Sequence, residues 1–436
     1  MLATGDIEPL AVELDAGVLR ISGTSDGEQI HVTRSRRTWT VSDARGWSTT
    51  RTTGAVRSLF IKAGAGDDLV RLDPSVHLPA RIFGNSGNDT LIGGSAGDSL
   101  YGHAGNDFLH GAAGDDLLIA IGGTLRDTLT GGGGVDSFWL DSGGSERIID
   151  LSPEENRVGG AHRVGAFEPL RGRVVAKDVT GLRADLVDPV SRHKGGRWSN
   201  FASRPLFAAS GPGIDDVRQG ELGDCYLHAP LAATAANNPR RIRESIADLG
   251  DGTFAVQFHR DGRRLFYRLD ADLPVGPEAR ATPVYAGLGL EGALWPALME
   301  KAFAFHRTGD GTYASIDNGG WFDETFSALG ASGYRDHWLA EFDSPRDVID
   351  RIADEMESGR VVTVATSEGI AESPLVSGHA YTVARVVTTA DGRRDLLLRN
   401  PWGIDGAPAD GRDDGYVTVS PEQLTAGAFA FTSAPA

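Results

Sequence analysis

Cysteine is nearly absent: 436 residues hold one, Cys225. A single thiol excludes any disulfide within the chain, so the redox character of its compartment cannot be read from pairing. It also leaves one free thiol for chemistry. Cationic charge is short too. The 42 Lys and Arg stand against 60 Asp and Glu, a net charge of -18, which argues against nucleic acid as a partner because that needs clustered cations. No run of about eighteen apolar residues occurs, so no transmembrane segment is expected. The first ten residues, MLATGDIEPL, lack the basic and apolar parts of a secretory leader, and none is expected there.

What is plentiful is glycine, 58 residues, concentrated before residue 135. It falls into a period of nine. Four copies stand in tandem: GNSGNDTLI at 84–92, GGSAGDSLY at 93–101, GHAGNDFLH at 102–110 and GAAGDDLLI at 111–119. An outlying GAGDDLV at 64–70 precedes them, and GGGGVDSFW at 131–139 follows an eleven-residue copy that contains Asp127. The template is G-G-x-G-x-D-x-U-x, with U large and apolar. Each copy reads as half a coil of a parallel β-roll, a turn followed by a short strand. Glycine permits the positive φ of the turn, and Leu91, Leu100, Leu109 and Leu118 are expected to stack inward.

Alternate copies fall on the same side, so carboxylates eighteen residues apart, such as Asp89 and Asp107, can share an ion. An all-oxygen, flexible cage suits calcium better than zinc or copper. The expected metal ligands are Asp68, Asp89, Asp98, Asp107, Asp116 and Asp136. Between 63 and 142, eleven acidic residues against three arginines leave a net charge of -8. Without cations this stretch is expected to be loose and to bury little apolar surface. His31, His103 and His110 are expected at the surface.

The template resembles the RTX, or haemolysin-type, calcium-binding repeat. That resemblance implies calcium as cofactor and a secreted bacterial protein, exported without an N-terminal leader; a cytoplasmic location is the alternative. Residues 423–436 are small, apolar and nearly uncharged, compatible with a C-terminal export signal. The repeats here lie near the N-terminus, whereas such a signal usually follows them.

The single cysteine sits in QGELGDCYL, at 219–227, where a glycine-containing loop meets an apolar run. CYLHAPLAATAAN reads as a helix with Tyr226, Leu227, Leu231 and Ala235 on one face and Asp224 as N-cap. A thiol in that first turn is expected to have a lowered pKa and to act as a nucleophile. The bland alternative is a buried structural cysteine. Far downstream come SGHAYTV at 377–383, an Asp391-Gly392 turn, and LLLRNPWG at 396–403. Two apolar runs about Asp-Gly predict a hairpin, with 383 roughly opposite 399, so His379 and Asn400 meet at one end. Nucleophile, base and orienting amide form the constellation of papain-type hydrolysis.

These blocks resemble the catalytic segments of the calpain family of cysteine proteases. LWPALMEKAFA at 294–304 resembles its tryptophan helix, and Gly319-Gly320 with Glu324 and Leu329 a further segment. The resemblance implies Cys225 as nucleophile, His379 as general base, Asn400 holding the imidazole and Gln219 as oxyanion donor. It also implies Trp402 as a shield over the His–Asn bond and Asp216 as a calcium ligand. His228 and Pro230 depart from the family, which has an apolar residue and alanine there; the proline should bend the helix.

The expected architecture is multidomain. A small β module at 1–62 precedes the all-β parallel β-roll at 63–142. A linker or capping segment at 143–200 leads to an α+β papain-like protease core at 201–436. Within the core, hairpin strands are expected about Asp261-Gly262 and an amphipathic helix at 293–306, with His306 a cap or surface residue. A charged helix is expected at 343–358 and a buried strand at 361–365. The expected activity is a calcium-dependent-type endopeptidase acting on polypeptides. An inactive binding or adhesion module and a thiol acyltransferase are the alternatives.

Overall fold

Alternation of turn and strand every nine residues winds the chain into two parallel sheets. The structure, a computed structural model, describes residues 10–44, 46–52, 56–122, 126–143, 145–177, 185–193, 197–277, 282–370, 373–405 and 413–436. The sequence at 178–189 allows a strand or a short helix, and residues 178–184 of it lie outside the described residues. The chain divides into two compact units. One comprises Met1–Phe167, Ala176–Ala184 and Leu249–Gly252; the other comprises Glu168–Val175, Asp185–Asp248 and Thr253–Ala436.

In the first unit, successive copies feed opposite sheets. Ala80–Ser86, Ser99–Ala104, Leu117–Ala120 and Ser137–Asp141 pair in parallel in one; Thr90–Ile92, Phe108–Ala113 and Thr128–Gly133 do so in the other. Leu91 pairs with Leu109 and Leu100 with Leu118, at the eighteen-residue offset. All four leucines are fully buried. The turns use the left-handed region: Gly87 has φ 129° and Gly105 φ 155°.

Both sheets run through the boundaries expected at 62/63 and 142/143. Val18–Ser22 pairs in parallel with Ser58–Ala65, and Gln29–Ser35 with Leu69–Leu72. At the other end Ala161–Val164 adds to Ser137–Asp141. One apolar core therefore continues from Leu10, Leu19 and Trp39 through the leucine stack to Phe138 and Leu140. His103, expected at the surface, is corrected. It is buried at φ 68° with its ring near those of Phe83 and Tyr101. His31 stays exposed.

In the second unit, a six-stranded antiparallel sheet runs in the order Arg335–Trp338, Ala428–Pro435, Arg360–Thr366, Ala380–Thr388, Arg394–Arg399, Tyr416–Val419. Helix Cys225–Asn237 is buried almost all round, every residue from Tyr226 to Ala235 being inaccessible. The one-face reading of that helix is corrected. Trp295–His306 is likewise buried along its whole length rather than amphipathic. His306 lies inside with it, its Nδ1 3.1 Å from the Tyr267 hydroxyl. The charged helix is Pro345–Glu357, capped by Ser344. Thr253–Arg260 and Arg263–Asp270 form the second hairpin, with Asp261 and Gly262 both left-handed at φ 51° and 73°, the geometry of a two-residue hairpin turn.

Candidate active site and calcium ligands

The glycines before the cysteine let the loop run tightly. A Cβ on Gly220 would lie 1.9 Å from the Tyr285 carbonyl oxygen, so only glycine fits there. The chain then enters helix Cys225–Asn237. Asp224 is its N-cap residue, yet its side chain makes no capping hydrogen bond. The carboxylate is fully buried and lies 3.4 Å from His228 Nε2. The same nitrogen lies 3.3 Å from Glu300 Oε1, and Glu300 also accepts from the Ala286 N–H. The ligating atoms of Asp224, His228 and Glu300 lie within 4.8 Å of one another. Burial opposes charge on His228, but the two carboxylates outweigh it and raise the imidazole to about 10. The cluster is thus a buried imidazolium between two acids.

Pro230 cannot donate to the carbonyl of Tyr226, four residues back. The Thr325 hydroxyl donates to it instead, at 3.1 Å. The carbonyl of Ala229, just before the proline, accepts from Thr382 Oγ1 at 2.6 Å, which ties the cysteine helix to the strand that follows His379.

The downstream hairpin forms with a register shift. Thr388 pairs with Arg394 and Arg385 with Leu397, but a bulge between Val383 and Arg385 sets Thr382, not 383, opposite Arg399. His379 and Asn400 meet at the open end: Nε2 and Oδ1 are 2.9 Å apart. Oδ1 also accepts from the Trp402 N–H at 3.0 Å, and the Trp402 ring centroid lies 4.4 Å from that of His379. An amide oxygen accepts only, so it sets the proton on Nε2 and leaves the lone pair on Nδ1. Burial holds His379 down to about 4, partly offset by the Asn400 bond.

Cys225 and His379 line one cavity of about 460 Å³. Trp321, Phe322, Phe429 and Glu368 line it too; none of these four stood out in the sequence. The thiol is half-buried, and its expected lowered pKa is corrected. Burial, then the Asp224 charge, push it up to about 11, against the N–H groups of Tyr226, Ala380 and Cys225. Gln219 is brought close in chain but not into the cavity wall. Its Nε2 donates to the Leu222 carbonyl at 2.6 Å. Asp216 is buried and already used: Oδ1 accepts from Leu290 N–H, and Oδ2 from Trp295 Nε1 and Gly213 N–H.

Along the roll the repeat aspartates form two columns. In one, the N–H of Asp68 donates to Asp89 Oδ1, that of Asp89 to Asp107, and that of Asp107 to Asp127. In the other, Asp98 N–H donates to Asp116 and Asp116 N–H to Asp136. Each carboxylate thus spends one oxygen on the neighbouring coil. The second oxygen of Asp68, Asp89, Asp107, Asp116 and Asp127 is buried with no hydrogen-bond partner among the described residues. Asp98 differs, its Oδ2 accepting from the Gly94 N–H at 2.6 Å. Burial raises Asp89 and Asp107 to about 7 and Asp116 to about 8. Orphaned, buried, closely spaced oxygens fit a hard divalent cation. These five residues, with Asp98 and Asp136, would hold calcium, which would keep them ionised and join successive coils.

The profile of the RTX calcium-binding nonapeptide repeat (four copies) matches residues 83–118 and 119–144, and calcium is the cofactor of these repeats. Mouse calpain-1 catalytic subunit is 30% identical over 231 residues, 49% of this chain and 31% of that protein. Chicken calpain-2 catalytic subunit is 30% identical over 222 residues, covering 48% and 30%. The chain thus spans about a third of the length of the curated relatives it matches. No helix among the described residues is long and apolar enough to cross a membrane. The profile of the calpain family cysteine proteases matches residues 185–414, more than half the chain and the whole span from Gln219 to Trp402; the chain belongs to the calpain family of cysteine proteases.

Proposed function

We propose that the protein is an endopeptidase that cleaves polypeptides through Cys225, His379 and Asn400, with the protease core at 201–436 and the roll as a separate calcium-binding part. The observation that carries this reading is the 2.9 Å His379–Asn400 bond beside a cavity shared with Cys225. Cys225 Sγ attacks the scissile carbonyl while its proton passes to His379 Nδ1. The oxyanion accepts from the Cys225 backbone N–H and from the second N–H of the Gln219 amide. His379 then protonates the leaving amine, and a thioester remains. Water, deprotonated by the same imidazole, releases the carboxylate and restores the thiol. Asn400 keeps the ring in the tautomer this needs, and the Trp402 indole shields that bond from water.

The raised thiol and lowered imidazole favour a neutral resting pair, so proton transfer accompanies attack. The aromatic wall of Trp321, Phe322 and Phe429 suits an apolar substrate side chain. We further propose that the protein is secreted from a bacterial cell; finding it only in the cytosol of its host would contradict that. The test of function is hydrolysis of unfolded casein by the full chain in millimolar calcium. Cleavage that Cys225→Ala abolishes supports the reading, and cleavage that survives the substitution contradicts it.

A further inference from the structure

The cavity that Cys225 and His379 share has two walls of different chemistry. One is aromatic. Trp321 and Phe322 line it, and the loop before them lies against the cysteine helix: a Cβ on Gly320 would come 2.5 Å from the Tyr226 ring. Trp321 N–H donates to Glu324 at 3.0 Å, so its backbone is fixed while the indole stays 58% exposed. Trp338 continues the face outside the cavity. Its ring centroid lies 6.1 Å from that of Trp321 and 5.9 Å from that of Phe429, which lines the cavity too. A contiguous aromatic face left in water marks a binding surface.

The other wall follows the end of strand Arg360–Thr366 and the segment before His379, and it carries Glu368. The main chain on either side of Glu368 is pinned. The Ser367 carbonyl accepts from the Gly378 N–H at 2.9 Å and from the Ser377 hydroxyl at 3.1 Å, and Ser377 Oγ accepts from the Gly369 N–H at 2.7 Å. The Glu368 side chain runs beside Gly378, where an added Cβ would lie 3.7 Å from its Cγ. Glu324, the acid on the aromatic side, is already spent on Arg307 at 2.8 and 3.0 Å. Glu368 has no hydrogen bond or ion pair among the described residues, and no other residue lining the cavity is acidic.

We propose that Glu368 gives the protease a preference for lysine or arginine in its substrate, the carboxylate taking the cationic end and the aromatic wall the apolar stem. This preference rests on the endopeptidase reading above. Both side chains carry a run of methylenes before the charge, and aromatic faces attract cations. A wholly apolar side chain would fill the wall but strip water from Glu368 without pairing it. Glu368 is exposed, so screening holds the gain to about fivefold.

The test maps the cleavage sites of unfolded casein by mass spectrometry, with the full chain in millimolar calcium. Wild type should show lysine and arginine enriched at one fixed position near the scissile bond. Glu368→Gln should lose that enrichment, and Glu368→Lys should replace it with aspartate and glutamate. No enrichment in wild type, or an unchanged pattern in Glu368→Gln, would overturn the proposal while leaving the endopeptidase reading intact. If wild type cleaves nothing, that reading fails instead, and the subsite is judged by protection of Cys225 from iodoacetamide. A blocked hexapeptide alternating alanine and lysine should then slow alkylation about fivefold more than one alternating alanine and norleucine, a difference absent in Glu368→Gln. Equal protection of the wild type by the two peptides would overturn the proposal.

Discussion

Thr325 donates its hydroxyl to the carbonyl of Tyr226, the group left without a partner by Pro230 one turn on. Thr325→Val should therefore strand a buried acceptor and lower stability by about 1–3 kcal/mol. Pro230→Ala on that background restores an N–H to the helix and should recover most of the loss. Urea unfolding of the four corners of this cycle checks it; additive effects would contradict the compensation.

His228 stands between Asp224 and Glu300 with no solvent access. Its folded pKa, about 10, lies above the ordinary value of 6.5. Its stabilisation is thus fully present below pH 6.5 and is lost as pH rises through about 10. His228→Leu should cost about 3–5 kcal/mol by leaving two buried acids facing each other. Adding Glu300→Gln should return part of it. A His228→Leu protein with unchanged thermal midpoint would contradict the imidazolium reading.

His306 has the opposite sign. Burial, with Arg260 and His259 nearby, holds it down to about 3. Below pH 6.5 the unfolded chain takes up a proton that the folded one refuses, so stability falls with falling pH. The effect reaches on the order of 3 kcal/mol by pH 4. His306→Gln should flatten the difference between unfolding midpoints at pH 7 and pH 4.5; an unaltered difference would place the acid sensitivity elsewhere.

Cys225, raised to about 11, should not behave as a preformed thiolate. Its alkylation by iodoacetamide in the substrate-free protein should keep rising with pH above 8. A plateau reached by pH 5 would indicate a thiolate–imidazolium pair at rest.

Much of this was legible in the chain. Asp391-Gly392 and the two apolar runs gave the hairpin that joins His379 to Asn400, but not the bulge near Ala384, which depends on packing rather than on a turn residue. The nine-residue phase gave the aspartate columns. Buried histidines were misread for a shared reason. His103 and His306 are polar by type, and only the partners around them, an aromatic pair and a tyrosine, make burial tolerable. The thiol was misjudged because a helix N-terminus is visible in sequence, whereas burial and the direction of the Asp224 carboxylate are not.

The central claim is that Cys225 forms a thioester with substrate through His379. The most direct measurement is mass spectrometry of the full chain, acid-quenched during turnover of an activated peptide ester. The mass of the acyl group should appear on the peptide containing Cys225, and should be absent or slow to form in His379→Ala. Hydrolysis without any adduct on that peptide, or an adduct that forms equally fast without His379, would contradict it.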